Sequence, residues 1–336
     1  MSDRLPSKVL MTGGHELGGV ASVVECLREG FAALGIPSEI VPPSRILLQW
    51  RDLRDPRVLK ILSTTGIFAA PFARRAICVA HGIARGDSDQ TSLLKGWPKL
   101  IGIAASFKLA NACSGARVVS VSHYTAITLK AVFNIQSDAV VQNPLKPLYL
   151  ETDDEVSRER CYVTYAGRLV SAKNLHRILP SVLDVLNETP GLRACIIGSG
   201  DQRAALEAMV QGDSRFEFKG SPDDRFVRDW LRRTRVLVSG NETEGFGVVY
   251  LEALSQGCAV AMPACGGGIE IALDQVGKRV HLLPLSWDRA EITAILRRAL
   301  DLSGAPPISL ENYSSEAVAR AYLAADSRFF AGEETP

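Results

Sequence analysis

"NETEGFGVVYLEALSQG" occupies residues 241–257. It places Glu244 and Glu252 on either side of a turn into a helix, with seven residues between them. Glu244 lies in a glycine-broken loop. Glu252 lies in an apolar run that Gly257 stops, the usual helix-ending role of glycine. Backbone N–H groups around Gly245–Val248 would face an anion at the helix start. Two carboxylates there would repel a phosphate at contact range. They suit instead the hydroxyls of sugars on either side of a diphosphate, and a nucleotide sugar has both. Read alone, Glu244 could equally be an ordinary helix-start acid and Glu252 a solvated helix residue.

Upstream, "AGRLVSAKN" (166–174) sets Arg168 just past a strand and Lys173 near the next helix start. Two cations at the carboxyl end of a parallel strand fit a phosphate or diphosphate. "GGHELGG" (13–19) is a second glycine loop between a strand and a helix, but its spacing is not the GxGxxG of dinucleotide sites. "GSGDQR" (198–203) has Arg203 where that fingerprint needs a third glycine. Nicotinamide binding is therefore a weak reading, and a tight turn explains either loop.

The alternation extends along the chain. "KVLMTG", a helix through "VASVVECLREGFAALG", and "IPSEIVP" form a strand–helix–strand unit. Strands are expected at "AICVAHG" and "ARVVSVS". The segment between them, "SLLKGWPKLIGIAASFKLANA", is expected to be helical after Pro98. After the polar "ETDDEVSRER" the pattern restarts at "CYVTYAGRL", with a helix at "NLHRILPSVLDVLNET" and a strand at "RACIIGSG". A helix at "DQRAALEAMVQG" follows, then strands at "RFEFKG", "RVLVSGN", "CAVAMPA" and "VHLLPL". The tail "NYSSEAVARAYLAADSRFFAG" reads as a helix capped by Ser314 or Ser315.

The 336 residues suggest two domains rather than one core. No apolar run reaches the roughly 18 residues of a membrane span, and "MSDRLPSKVLM" lacks the apolar core of a signal peptide. The seven cysteines are scattered without a CxxC pair, which points to a reducing, cytoplasmic setting and away from zinc. Charge is uneven. Residues 1–150 hold 17 Lys/Arg against 10 Asp/Glu, while the remainder is net acidic. A basic first half hints at an anionic partner, although local ion pairing would explain it too.

"AGRLVSAKN" followed by "ETEGFGVVYLEALSQGCAVAMPACGGGIEI" resembles the retaining glycosyltransferases of family 4, which have the α/β GT-B fold of two Rossmann-like domains facing a cleft. "VAHG" (79–82), "VVSVS" (118–122) and "VVQNP" (140–144) continue the likeness. It implies an acceptor-binding domain over 1–146, a nucleotide-sugar domain over 147–310, and a terminal helix, 311–336, that crosses back. It also implies roles. Arg168 and Lys173 would bind the diphosphate, Glu252 the ribose, and Glu244 the transferred sugar. Gly245, Phe246 and Gly247 would offer amides, His81 would line the sugar site, and Gly18 and Gly19 would approach the phosphates. No metal or other cofactor is expected, because the cations and the helix start already meet the leaving charge. "DSD" at 87–89 matches a metal motif of a different fold and reads as a loop or cap.

Ser239-Gly240 and Asn143-Pro144 depart from the family's usual Pro-Ser and Asn-Gly, which bears on the acceptor pocket. Expected partners are a UDP- or GDP-sugar and a saccharide acceptor, lipid-linked in surface polysaccharide synthesis, with no nucleic acid. The mixture of Lys95, Lys99 and Lys108 with Trp97 and Phe107 suggests peripheral contact with an anionic inner membrane face. A small-molecule acceptor, or a nucleotide-sugar epimerase, is the alternative.

Overall fold

The computed structural model describes residues 5–13, 19–82, 93–151, 160–273, 278–302 and 310–330. Side chains at 64, 93–100, 103, 272 and 328–330 lie outside that description. The chain forms two compact units. The first draws on the chain up to residue 83, on 94–147 and on 311–336, and the second is built on 148–310.

The first unit holds a six-stranded parallel sheet. Its strands are β1 Lys8–Thr12, β2 Ser38–Val41, β3 Val58–Ser63, β4 Ala76–Ala80, β5 Arg117–Ser120 and β6 Ala139–Val140. Their order is β2-β1-β3-β4-β5-β6. The second unit holds β7 Tyr162–Ala166, β8 Arg193–Ile197, β9 Phe216–Lys219, β10 Thr234–Val238, β11 Ala259–Pro263 and β12 Val280–Leu283. Their order is β12-β11-β10-β7-β8-β9. β3, β4 and β11 are buried at every position, as parallel strands covered by helices on both faces must be.

Helices follow from apolar periodicity and from their caps. Helix Leu175–Glu188 turns Ile178, Leu179, Val182 and Val185 to the core of the second unit, where Ile292, Ile295, Leu296 and Ala299 of helix Arg289–Asp301 join them. Asp288 caps the latter by accepting from the Glu291 N–H at 2.8 Å, and Asp223 caps helix Asp224–Leu231 through the Phe226 N–H at 2.8 Å. Such caps satisfy donors that the first helical turn leaves open. At helix Ser315–Phe330 the cap is Ser314, which accepts from the Ala317 N–H. Helix Leu93–Ser114 begins before Pro98 rather than after it, so the proline does not mark its start.

β3 is absent from the strands expected above, and its apolar run is interrupted by Lys60. Lys60 is nevertheless fully buried. Its ammonium donates to the carbonyls of Asp55 (2.6 Å), Val58 (2.8 Å) and Arg74 (2.5 Å). Three donors meet three acceptors, and the stem fills the core.

Helix Ser315–Phe330 packs on helix Gly19–Ala33 within the first unit. A Cβ on Gly30 would fall 2.0 Å from the Ser315 carbonyl oxygen, so only glycine permits this approach. Arg75 fixes the helix at its other end with a two-pronged pair to Asp326, at 2.9 and 2.7 Å. Asp326 is 2% exposed.

Two outcomes follow. Asp326→Ala leaves the Arg75 guanidinium without its buried partner. It should lower the stability of the first unit by about 3–5 kcal/mol, read as an earlier urea transition. Burial also pushes the Lys60 amine down to about 7 from its usual 10.5. Unfolding then takes up a proton between those values, so stability should rise with pH from about 7 to about 10.5. Lys60→Met should flatten that slope in pH-dependent urea melts.

Candidate functional site

In the second sheet the chain runs outward from β7 to β9 and then returns to the other side of β7 at β10. The order therefore reverses between β7 and β10. Ligands of open α/β sheets bind outside the carboxyl ends of strands at such a reversal. The loops leaving these two strands are 167–174 and 239–247, and they carry Arg168, Lys173 and Glu244.

The first loop is fixed through its backbone. The buried Tyr165 hydroxyl donates to the Arg168 carbonyl at 2.7 Å. The Leu169 N–H donates to Ser199 at 2.8 Å, and the Leu169 carbonyl accepts from Gln202. Gly198 follows β8 with φ +141, and a Cβ there would lie 1.8 Å from the Gly167 carbonyl oxygen. The "GSG" turn is thus a steric requirement, since it lets the β8 exit back onto the Arg168 loop. The Arg168 side chain stays exposed.

The second loop is held from three sides. Asn174, left-handed at φ 50, donates through Nδ2 to the Gly240 carbonyl at 3.0 Å. Gly240 has no room for a Cβ beside the Lys173 carbonyl. The Gly267 N–H donates to the Glu244 carbonyl at 2.7 Å, and Tyr250 donates to the Ser239 hydroxyl at 2.9 Å. Gly247, at φ +91, is packed so closely on Tyr250 that a Cβ would come within 2.5 Å of its ring. Helix Val248–Ser255 begins there.

Lys173 and Glu244 come together as an ion pair, Nζ to Oε2 at 3.2 Å. The same carboxylate oxygen accepts from Asn241 Nδ2 at 2.5 Å. Its charge is felt nearby. Burial first, and Glu244 next, hold the Tyr165 and Tyr250 phenols above their usual range. Glu252 is half-buried on helix Val248–Ser255. Its carboxylate, after burial, raises the phenol of buried Tyr149. Gly245, Phe246 and Gly247 are buried, with the Phe246 ring as an anchor.

The remaining expected residues belong to the first unit. His81 follows β4 and is half-buried by exposed area. It is enclosed densely enough that desolvation pushes its imidazole down to about 4, so the ring is neutral at pH 7. Gly19 opens helix Gly19–Ala33. Gly18 and the "DSD" stretch lie outside the described residues, as do the side chains of Lys95, Trp97 and Lys99. Phe107 is 2% exposed and packed in the core of the first unit, so it has no part in a membrane-facing surface. Among the described residues no three His, Cys, Asp or Glu side chains cluster as metal ligands would. No described helix is long and apolar enough to cross a membrane.

The sequence reading passed over the residues that set this geometry. Glu242 accepts from Trp287 Nε1 at 2.9 Å and from Asn174 Nδ2 at 3.4 Å, and its carbonyl accepts from the Cys265 thiol. Asn174 stands directly after Lys173, and residues 265–268 read Cys-Gly-Gly-Gly. Those are local turn signals, but the partners they join are distant in sequence.

Residues 160–301 match the family model for glycosyl transferases group 1. Over 127 residues the chain is 29% identical to a poly(glycerol-phosphate) alpha-glucosyltransferase of Bacillus subtilis, a match covering 36% of this chain and 17% of that protein. Over 153 residues it is 27% identical to a phosphatidyl-myo-inositol mannosyltransferase of Propionibacterium freudenreichii, covering 45% of this chain and 38% of that one. These matches span well under half the length of either relative. The crystal structure of Anabaena HepE in complex with UDP and glucose aligns with a TM-score of 0.66 at 14% identity, covering 96% of this chain and 95% of that one. At that identity the likeness shows the fold, which is GT-B. The family match thus covers residues 160–301, within the second unit, while the chain as a whole has the GT-B fold.

Proposed function

We propose that the chain is a retaining, metal-independent glycosyltransferase that moves a sugar from a nucleoside-diphosphate sugar to a saccharide acceptor. The observation that carries this reading is the meeting of Lys173 and Glu244 at the strand-order reversal, beside the start of helix Val248–Ser255. As the sugar–phosphate bond breaks, positive charge grows on the ring and negative charge on the leaving diphosphate. Arg168, Lys173 and the helix start would stabilise that leaving group as preorganised donors. Glu244 would accept hydrogen bonds from the transferred sugar, and Glu252 from the ribose. A neutral His81 has one donor and one acceptor, which suits a hydroxyl. Retention would follow from attack on the face the diphosphate leaves, with a phosphate oxygen taking the acceptor's proton. No protein nucleophile is assigned.

UDP is the favoured nucleotide, since the HepE complex holds UDP. The acceptor is proposed to be lipid-linked, in surface polysaccharide synthesis at the inner face of the membrane. The relatives' names support that class, one acting on a poly(glycerol phosphate) and another on a phosphatidylinositol.

Arg168→Ala and Lys173→Ala should each slow transfer by roughly 10²–10³-fold, the usual loss for one preorganised charge donor. Because Lys173 and Glu244 touch, Lys173→Ala with Glu244→Gln should cost less than the two single losses combined. Glu252→Gln should chiefly weaken UDP binding in titration calorimetry. Near-normal turnover in folded Arg168→Ala and Lys173→Ala proteins would overturn the diphosphate assignment.

Transfer should survive EDTA, because fixed cations already face the leaving group. Loss of activity with EDTA, restored by Mg²⁺ or Mn²⁺, would refute metal independence.

A further inference from the structure

We propose that Glu242 is a positioning residue for the sugar transfer, holding the loop that carries Glu244 where the transferred sugar is met. This rests on the glycosyltransferase reading and deepens it, by adding a residue that the reading leaves unused.

The loops that leave four neighbouring strands converge on Glu242. The strands β12, β11, β10 and β7 are adjacent in that order. Their exits are residues 284–288, 264–267, 239–247 and 167–174. Glu242 itself belongs to the β10 exit. Its Oε1 accepts from Asn174 Nδ2 of the β7 exit at 3.4 Å and from Trp287 Nε1 of the β12 exit at 2.9 Å. Its carbonyl accepts from the Cys265 thiol of the β11 exit at 3.2 Å. One residue therefore ties the two loops at the strand-order reversal to the two loops beside them.

Both donors to Oε1 have left-handed backbones, Asn174 at φ 50 and Trp287 at φ 59. Asparagine tolerates that conformation, but a bulky aromatic residue adopts it only where its surroundings impose it. Around Trp287 they do. The Arg177 guanidinium lies over its ring at 5.7 Å, and the ring packs against the core of the second unit. The next residue, Asp288, caps helix Arg289–Asp301, and Arg177 lies in the first turn of helix Leu175–Glu188. Trp287 is wedged between the starts of the two helices that build this core. Through it, the Glu242 carboxylate is fixed to the packed body of the unit.

The β10 loop is the one that depends on this link. The β7 loop has supports of its own, from the Tyr165 hydroxyl to the Arg168 carbonyl and from Leu169 to Ser199 and Gln202. Glu244 stands two residues beyond Glu242 on the β10 loop. Removing the Glu242 carboxylate should therefore displace Glu244 and leave Arg168 in place. Misplacement of a reacting contact by about 1 Å can cost about 10²-fold in rate.

The test uses the full chain with Glu242→Ala, Glu242→Gln and Trp287→Phe. Release of UDP from UDP-glucose, with water as acceptor, reads turnover. Calorimetric titration with UDP reads nucleotide binding, and crystal structures read the loop. Glu242→Ala should lower kcat by roughly 10–100-fold while its affinity for UDP stays that of the parent. Glu242→Gln keeps an acceptor for Trp287 and Asn174, and should restore most of the rate. Trp287→Phe keeps the ring and loses the N–H. It should also lower kcat, and adding it to Glu242→Ala should bring little further loss, since both break one contact. In the crystals the Lys173–Glu244 contact, 3.2 Å in the parent, should persist in Glu242→Gln and be broken in Glu242→Ala. The proposal is overturned if Glu242→Ala leaves that contact and the rate unchanged. It is overturned if Glu242→Gln is as slow as Glu242→Ala, because the charge would then act directly. It also fails if UDP affinity falls as far as the rate, which marks a general loss of structure. A parent that neither binds UDP nor releases it from UDP-glucose defeats the glycosyltransferase reading instead. Where the parent does not turn over UDP-glucose, the crystal structures decide the position of the loop.

Discussion

Between the loops that leave β7 and β10, the Lys173 ammonium and the Glu244 carboxylate stand 3.2 Å apart. A carboxylate beside a helix start is favoured by the N–H groups left open there. The lysine adds a second partner and holds both loops in register. The rest of the second unit serves that meeting. The strand order brings β7 and β10 side by side. Asn174 stitches the lysine's turn to Gly240. The glycines at 198, 240 and 247 remove the side chains that would hold the backbones apart. A half-buried ion pair contributes little net stability after desolvation. Its value lies in placement: under the proposed function, a diphosphate arriving at Lys173 would compete with Glu244 and free that carboxylate for hydroxyls. Binding one half of the donor would thus prepare the contact for the other.

The parts legible in the sequence are those whose signal is local. The α/β alternation, the glycine-punctuated exits from strands, the Glu244–Glu252 spacing and the Arg168/Lys173 pair all sit within short windows. What escaped depends on partners far along the chain. β3 was hidden by Lys60, whose charge is satisfied by carbonyls of Asp55, Val58 and Arg74 that no periodicity reveals. Glu242 looked like any loop acid, yet it is fixed by Trp287, 45 residues away. The start of helix Leu93–Ser114 was placed too late because Pro98 read as a boundary. Pro98 is the sixth residue of that helix, past the turn whose N–H groups are unpaired, so the helix runs through it at the loss of one backbone hydrogen bond.

The two glycine loops of the second unit show how one residue type serves different ends. At 198–200 glycine lets one backbone lie against another, and the absence of a dinucleotide fingerprint is of no consequence to the fold. At 245–247 it frees the turn into the helix, with Phe246 locking the loop from inside. The basic character of the first half likewise divides in two. Lys8, Arg57 and Arg75 are spent on internal pairs, while Arg45, Arg51 and Arg54 face outward.

The contact between Gly30 and Ser315 has a consequence for biogenesis. The first unit is discontinuous: its sheet lies upstream of the second unit, but helix Ser315–Phe330, which covers helix Gly19–Ala33 and receives Arg75, is translated after it. On the ribosome the early sheet must wait, one helix face uncovered and Arg75 without its aspartate, while the whole second unit emerges. The second unit, whose whole sheet comes from one stretch of chain, can complete its core first. The amino-terminal unit, which would ordinarily fold first, can therefore complete its packing only after the second unit has been synthesised.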